Sequence, residues 1–310
     1  MYYACQKAKK GYNYSITDIK KKGDAMVKII ADSTCDLPKN ILEEYGVSVL
    51  PLHILCGETD YLDGADISPQ QIFAWADENK TTPKTSAPSP GEVEDILSPY
   101  AGTDTDVVCI AISDAFSTTG NVFRMTADAM NEEAGREQVH VINSANLSTG
   151  IGLLVLEAAT MAKEGMTAQQ IVERIEALVP KVRSSFVVDT LTYLHRGGRC
   201  SGLAALAGGA LKLHPQIVVK DGKMEATKKY RGSMKKVLLE YTKEMTDMLN
   251  KASKTRVFIT HSHCEKDIVD AVYEYVKGIG VFEEILITTA GGVISSHCGP
   301  GTLGVLFIEE

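Results

Sequence analysis

The chain has 310 residues, 44% of them hydrophobic and 23% charged, with a formal net charge of −8 at pH 7. That length supports a sizeable core and one or two domains. The acidic balance argues against a nucleic-acid or anionic-membrane partner, and no apolar run approaches the roughly 18–20 residues that span a bilayer.

Residues 1–25 hold six lysines against Asp18 and Asp24 and lack the apolar stretch of a signal peptide. Codons for Lys22-Gly23-Asp24 can spell a bacterial ribosome-binding sequence ahead of Met26. Met26 is therefore the expected natural start, with 1–25 a translated leader or a disordered tail.

Residues 27–31 form a short β-branched run, the pattern of a buried strand. Asp36 is placed to N-cap a helix whose first turn holds Pro38 and which stops at Gly46. A strand follows over 47–52. Ser68-Pro69 and Ser89-Pro90 each open a helix, with Thr85-Ser86-Ala87-Pro88-Ser89 between them. Residues 106–112 and 139–142 read as strands, each followed by a polar loop and a helix. Thr167-x-x-Gln170 is a capping box for a helix ending near Pro180. Alternating strands and helices imply a parallel α/β sheet, so 26–180 is the expected N-terminal α/β domain.

The pattern then changes, and 181–310 is the expected C-terminal α+β domain. Residues 202–213 read as a helix crowded with small residues. Asp221-Gly222 between two extended runs is a strong hairpin signal. Helices are expected over 233–250 and 267–277, and strands over 255–260, 284–289 and 304–309.

Ligands in open α/β sheets bind at loops beyond the carboxyl ends of the strands. Four such segments are rich in hydroxyls and amides: 32–34, 85–89, 113–120 and 143–146. Capping and turn formation explain part of that enrichment. Hydroxyls beside backbone N–H groups also suit an oxyanion received by hydrogen bonds. His297, ahead of Gly299-Pro300-Gly301, can donate another bond from a loop. Cys298 beside it points away if the backbone is extended, so the two form no nucleophile pair. His261-Ser262-His263-Cys264 lacks a second ligand cluster, and no metal is expected. No Walker loop, G-x-S-x-G or G-x-G-x-x-G motif occurs. Five glycines between 197 and 209 admit either close helix packing or a tunnel for an apolar ligand, with Arg196 and Arg199 at its mouth. Gly150-x-Gly152 reads as helix packing. The seven cysteines are odd in number and never in C-x-x-C spacing, which suits reduced thiols in a cytoplasmic protein.

Asp32-Ser33-Thr34-Cys35-Asp36-Leu37, Thr85-Ser86-x-Pro88-Ser89, the loop at 113–120, Gly197-Gly198-Arg199 and His297-x-Gly299-Pro300-Gly301 occur in the order seen in the DegV family. The chain resembles that family from Val27 onward. The resemblance implies a two-domain α/β fold, with a mostly parallel-sheet N-terminal domain, an α+β lipid-tunnel domain and a long-chain fatty acid held between them. It further implies the fatty-acid-binding subunit of bacterial fatty acid kinase. Such a subunit has no catalysis or cofactor of its own. It presents the carboxylate to a separate kinase subunit of the dihydroxyacetone-kinase-like type, which makes acyl phosphate. By the resemblance, Thr85, Ser117 and His297 match the carboxylate-binding positions, with Ser86 and Thr118 as their neighbours. Arg196, Arg199, Gly208 and Gly209 fall at the tunnel or its mouth. One departure stands out. The family shows Ser-Gly-Thr, an aromatic residue and Gln where this chain reads Ser117-Thr118-Thr119-Gly120-Asn121, which leaves the alignment of Ser117 open by one position. Neutral donors, without a Lys or Arg clamp, are expected to hold the carboxylate. The alternatives are an acyl hydrolase using Ser117 and His297, and a regulatory lipid-binding module without a kinase partner.

Overall fold

The computed structural model describes residues 27–201 and 213–310. The expected leader, and the expected helix with Gly202, Gly208 and Gly209, lie outside the described residues.

In chain order the elements are β1 (Val27–Asp32), α1 (Lys39–Tyr45), β2 (Ser48–Leu50), β3 (His53–Cys56), β4 (Thr59–Leu62), α2 (Pro69–Asn79) and β5 (Lys84–Ser86). Next come α3 (Pro90–Leu97), β6 (Asp106–Ala111), α4 (Thr119–Ala134), β7 (Val139–Asn143), α5 (Thr149–Lys163), α6 (Ala168–Leu178) and β8 (Val182–Val187). They are followed by α7 (Thr192–Gly197), β9 (Cys200–Ser201), β10 (Leu213–Lys220), β11 (Lys223–Arg231), α8 (Met234–Glu244) and α9 (Thr246–Leu249). The last are β12 (Ala252–Ser262), α10 (Lys266–Ile279), β13 (Glu284–Thr289), α11 (Gly292–Cys298) and β14 (Thr302–Glu309).

Local signals account for many boundaries. Ser68, Ser89 and Thr167 each close a capping box with the residue three positions on. Left-handed glycines at 46, 135 and 280 stop α1, α4 and α10. Asp36 departs from expectation. Pro38 occupies the N-cap of α1, while Asp36 sits at φ 52 and turns its carboxylate elsewhere.

The first sheet is parallel throughout, in the order β2-β1-β6-β7. Helices α3 and α4 cover one face through Val93, Leu97, Phe123 and Ala127. Helices α5 and α6 cover the other. The second sheet is mixed, in the order β13-β12-β14-β8-β10-β11-β9, and includes the hairpin at Asp221-Gly222. One of its faces packs on α8 and α10, the other on α5.

Helix α5 is therefore shared. Ten of its residues, from Thr149 to Ala159, are buried, because it is apolar all round and needs cover on every side. Glu157 is its one acidic residue and pairs at 3.8 Å with the buried Arg256 of β12. Gly150 and Gly152 permit the close approach. A Cβ on Gly150 would stand 2.4 Å from Ser184 Oγ of β8, and one on Gly152 would stand 3.0 Å from the Cys35 carbonyl.

A small antiparallel sheet, β4-β3-β5, was not expected from the sequence. Thr85 and Ser86 lie in its edge strand rather than in a loop. Each strand has only three or four residues, too short for periodicity to register. Among the described residues, no helix is long and apolar enough to cross a membrane.

Filling the Gly150 contact should loosen the join between α5 and the second sheet. Gly150→Ala is expected to cost about 1–3 kcal/mol, since overpacking a filled interior displaces its neighbours. Urea unfolding measures this as a lower midpoint at unchanged slope.

Candidate functional site

The strand order reverses direction between β1 and β6, and a crevice opens beyond their carboxyl ends. A cavity of about 490 Å³ occupies it. The loops after β6 and β7 supply Ile112, Phe116, Leu147 and Ser148, and the second sheet supplies Phe186, Gly304 and Leu306. Residues Ala290, Val293, Ile294, His297 and Cys298 also line it. Val293, Ile294, His297 and Cys298 are one face of α11, and Ala290 lies just before its N-cap Gly291. The opposite face packs on the small sheet and α2, where a Cβ on Gly292 would stand 2.6 Å from Ile54.

His297 thus belongs to the last turn of α11, not to a loop. Its Nε2 shares a hydrogen bond of 2.8 Å with Thr85 Oγ1, joining positions 212 residues apart. Nδ1 is buried without a hydrogen-bond partner among the described residues. A Cβ on Gly197 would stand 2.3 Å from that nitrogen, so the glycine leaves room for the ring. Burial, and then the charge of Arg199, push the imidazole pKa down to about 4. The ring is neutral at pH 7.

Thr85 and Ser86 alternate along β5, so their side chains project to opposite faces. Thr85 is the one joined to His297; both residues line the cavity. Across the crevice, Ser117 and Thr118 line it at the start of α4. Ser117 Oγ accepts from Thr119 N and shares a bond with Thr119 Oγ1, which is a capping role. Thr118 occupies the N-cap position but makes no side-chain cap bond, so its hydroxyl is the one left for another partner. The amino end of this 16-residue helix adds positive potential beside the cavity.

Arg199 also lines the cavity, and its guanidinium donates to the Gly197 carbonyl at 2.6 Å. A wholly neutral donor set is therefore not what surrounds this crevice. Arg196 lies in the last turn of α7 and is not among the lining residues; Gly208 and Gly209 lie outside the described residues. Thr85, Ser86, Ser117, Thr118, His297 and Arg199 are brought together.

The Cys298 thiol is far from nucleophilic. Cys298 follows His297 in a helix, not in extended backbone, and burial pushes its thiol up to about 12. That thiol stays protonated. No group of three His, Cys, Asp or Glu able to hold a metal occurs among the described residues.

Sequence reasoning missed the apolar wall and one buried carboxylate. Phe186, Gly304 and Leu306 give no signal beyond strand alternation. The stripe at 290–298 was legible as a helical period but is short. Asp63, 3% exposed, accepts from Ser33 Oγ at 2.8 Å and Gly292 N at 2.7 Å. No local pattern marks it.

Because the imidazole pKa falls from 6.5 to about 4 on folding, the folded state binds fewer protons in that window. The associated stability is full above pH 6.5 and is lost as pH drops toward 4. NMR of ring-labelled histidine should find His297 neutral down to about pH 5, with a midpoint near 4. A midpoint near 6.5 would contradict the burial. His297→Gln should also lose less stability than the wild type between pH 6.5 and 4.

The model of the family described as "Uncharacterised protein, DegV family" matches residues 26–310. A DegV domain-containing protein of Deinococcus radiodurans is 32% identical over 280 residues, covering 90% of this chain and 97% of its own. Another, from Clostridium acetobutylicum, is 31% identical over 286 residues, covering 92% and 99%. Among solved structures, a fatty-acid-binding DegV protein from Thermus thermophilus is 31% identical with a TM-score of 0.83, covering 92% of this chain and all of that one. A stearic-acid-binding protein from Eubacterium ventriosum is 29% identical with a TM-score of 0.80, covering 92% and 98%. The order of motifs, the two sheets joined through α5 and these matches along the chain have one explanation: the chain belongs to the DegV family.

Proposed function

We propose that the protein binds a long-chain fatty acid in the crevice and presents its carboxylate to a separate kinase subunit. The observation that carries this is the Thr85–His297 pair at the edge of a largely apolar cavity. Thr85, Ser86, Ser117, Thr118 and His297 receive the carboxylate, and the α11 stripe with Phe186 and Leu306 contacts the chain. The fatty acids bound by the Thermus and Eubacterium relatives support the same ligand class.

The energetics divide the labour. Burying the tail contributes about 0.8 kcal/mol per methylene. Each charge-assisted hydrogen bond to the carboxylate contributes roughly 1.5–3 kcal/mol. The chain supplies most of the affinity, and the polar end fixes which way the ligand points. Arg199 offsets part of the carboxylate's lost hydration, and the bound anion in turn favours protonation of His297. A hydrolase would need His297 to activate Ser117, with a third group orienting the ring. Here Nε2 is held by Thr85, Nδ1 has no such partner among the described residues, and Ser117 caps α4. The geometry supports a carrier rather than a hydrolase, and the family resemblance supplies the kinase of the dihydroxyacetone-kinase-like type that does the chemistry.

Native mass spectrometry of protein expressed in bacteria should find co-purified fatty acid, released by organic extraction. Protein that stays empty after incubation with C14–C18 acids would overturn the proposal. With the kinase subunit and ATP, the bound acid should be consumed; unchanged lipid would favour a regulatory module. Ser117→Ala should lower kinase-coupled turnover more than lipid affinity, and equal losses would refute that division of roles.

A further inference from the structure

The helix that carries His297 is held at its other end by two buried carboxylates. Asp36 accepts from Gly291 N at 2.8 Å through Oδ1 and from Ser148 Oγ at 2.5 Å through Oδ2. Asp63 accepts from Gly292 N at 2.7 Å through Oδ1 and from Ser33 Oγ at 2.8 Å through Oδ2. Ser33 Oγ in turn accepts from Leu52 N at 3.1 Å. Each carboxylate gives one oxygen to α11 and the other to the loops of the parallel sheet. The fit is close. A Cβ on Gly291 would stand 3.0 Å from Asp36 Oδ1, and one on Gly292 would stand 3.0 Å from Asp63 Oδ1.

We propose that Asp36 and Asp63 are positioning residues for His297, fixing the first turn of α11 so that the imidazole meets Thr85 and the ligand carboxylate. From Gly292 to His297 is five residues, about 7.5 Å of helix rise, with no glycine or proline between to bend it. Anions at a helix amino end are favourable, but a neutral cap would satisfy the same amides. Burial instead pushes both carboxyl groups up, a standing penalty of the kind that gathers at functional sites. Ser148 shows a second cost. It is held at φ 52 and ψ −145, a conformation that non-glycine residues avoid, while its hydroxyl reaches Asp36. This inference rests on the carboxylate-site proposal above for its ligand, but not for its effect on His297.

The test uses the full chain carrying Asp36→Asn and Asp63→Asn, separately. Without ligand, ring-labelled His297 should shift from a midpoint near 4 toward the ordinary 6.5 as the imidazole leaves its buried place. With ligand, the preference for palmitate over hexadecanol should fall by about tenfold, the equivalent of one charge-assisted hydrogen bond. General destabilisation would weaken both ligands alike. Folded variants that keep the wild-type His297 midpoint would overturn the assignment. Should the variants not fold, Ser33→Ala removes the second partner of Asp63 and keeps both carboxylates. An unmoved His297 midpoint in that protein would likewise overturn it. If the wild type does not prefer palmitate to hexadecanol, the ligand proposal fails, and the imidazole titration still decides the clamp.

Discussion

Helix α5 is the constraint on which the remaining architecture depends. Ten of its fifteen residues are buried, so most of its surface needs apolar cover rather than water. The parallel sheet packs on one side and the mixed sheet on the other, and their side chains merge into one core. That join brings the carboxyl ends of β1, β6 and β7 against β8 and β14. The cavity lies where the helix begins, lined by Leu147 and Ser148 just before its first turn. Gly150 and Gly152 set how closely the layers meet.

The site then follows from what burial does to charge. A neutral imidazole, a threonine hydroxyl and the amino end of a helix are groups that a partly buried crevice tolerates without a counter-ion. Burial, and then the positive charge of Arg199, keeps His297 neutral. Under the proposed function, a carboxylate entering there meets hydroxyls and an imidazole already gathered around the cavity. Under the same proposal, the apolar wall beside them would carry the larger share of binding energy, because methylene burial accumulates along a chain while hydrogen bonds only exchange water for protein.

The described parts of the fold were legible wherever the information is local. Ser68, Ser89 and Thr167 announce helices with a side chain that satisfies orphan amides three residues on. Asp221-Gly222 announces a hairpin because both positions adopt positive φ. The small sheet was not legible, since three- and four-residue strands carry no readable period. Asp36 shows the limit most clearly. Its sequence context fits an N-cap, yet its carboxylate bonds Gly291, 255 residues away. Ser117 shows the reverse: a residue singled out for a ligand is also the cap that local chemistry would ask for.

Sequence alone determined the composition of this site: hydroxyls in two segments, a histidine before a Gly-Pro-Gly turn, an arginine after two glycines, and a family order linking them. Such features are chemical and survive without coordinates. Tertiary structure alone decided which of them meet. It paired Thr85 with His297, brought Arg199 but not Arg196 to the cavity, and made His297 part of a helix held by Asp36 and Asp63. Contacts across 200 residues arise where α11 seats against α2, β3 and β5, and packing is a property of the whole chain rather than of any segment.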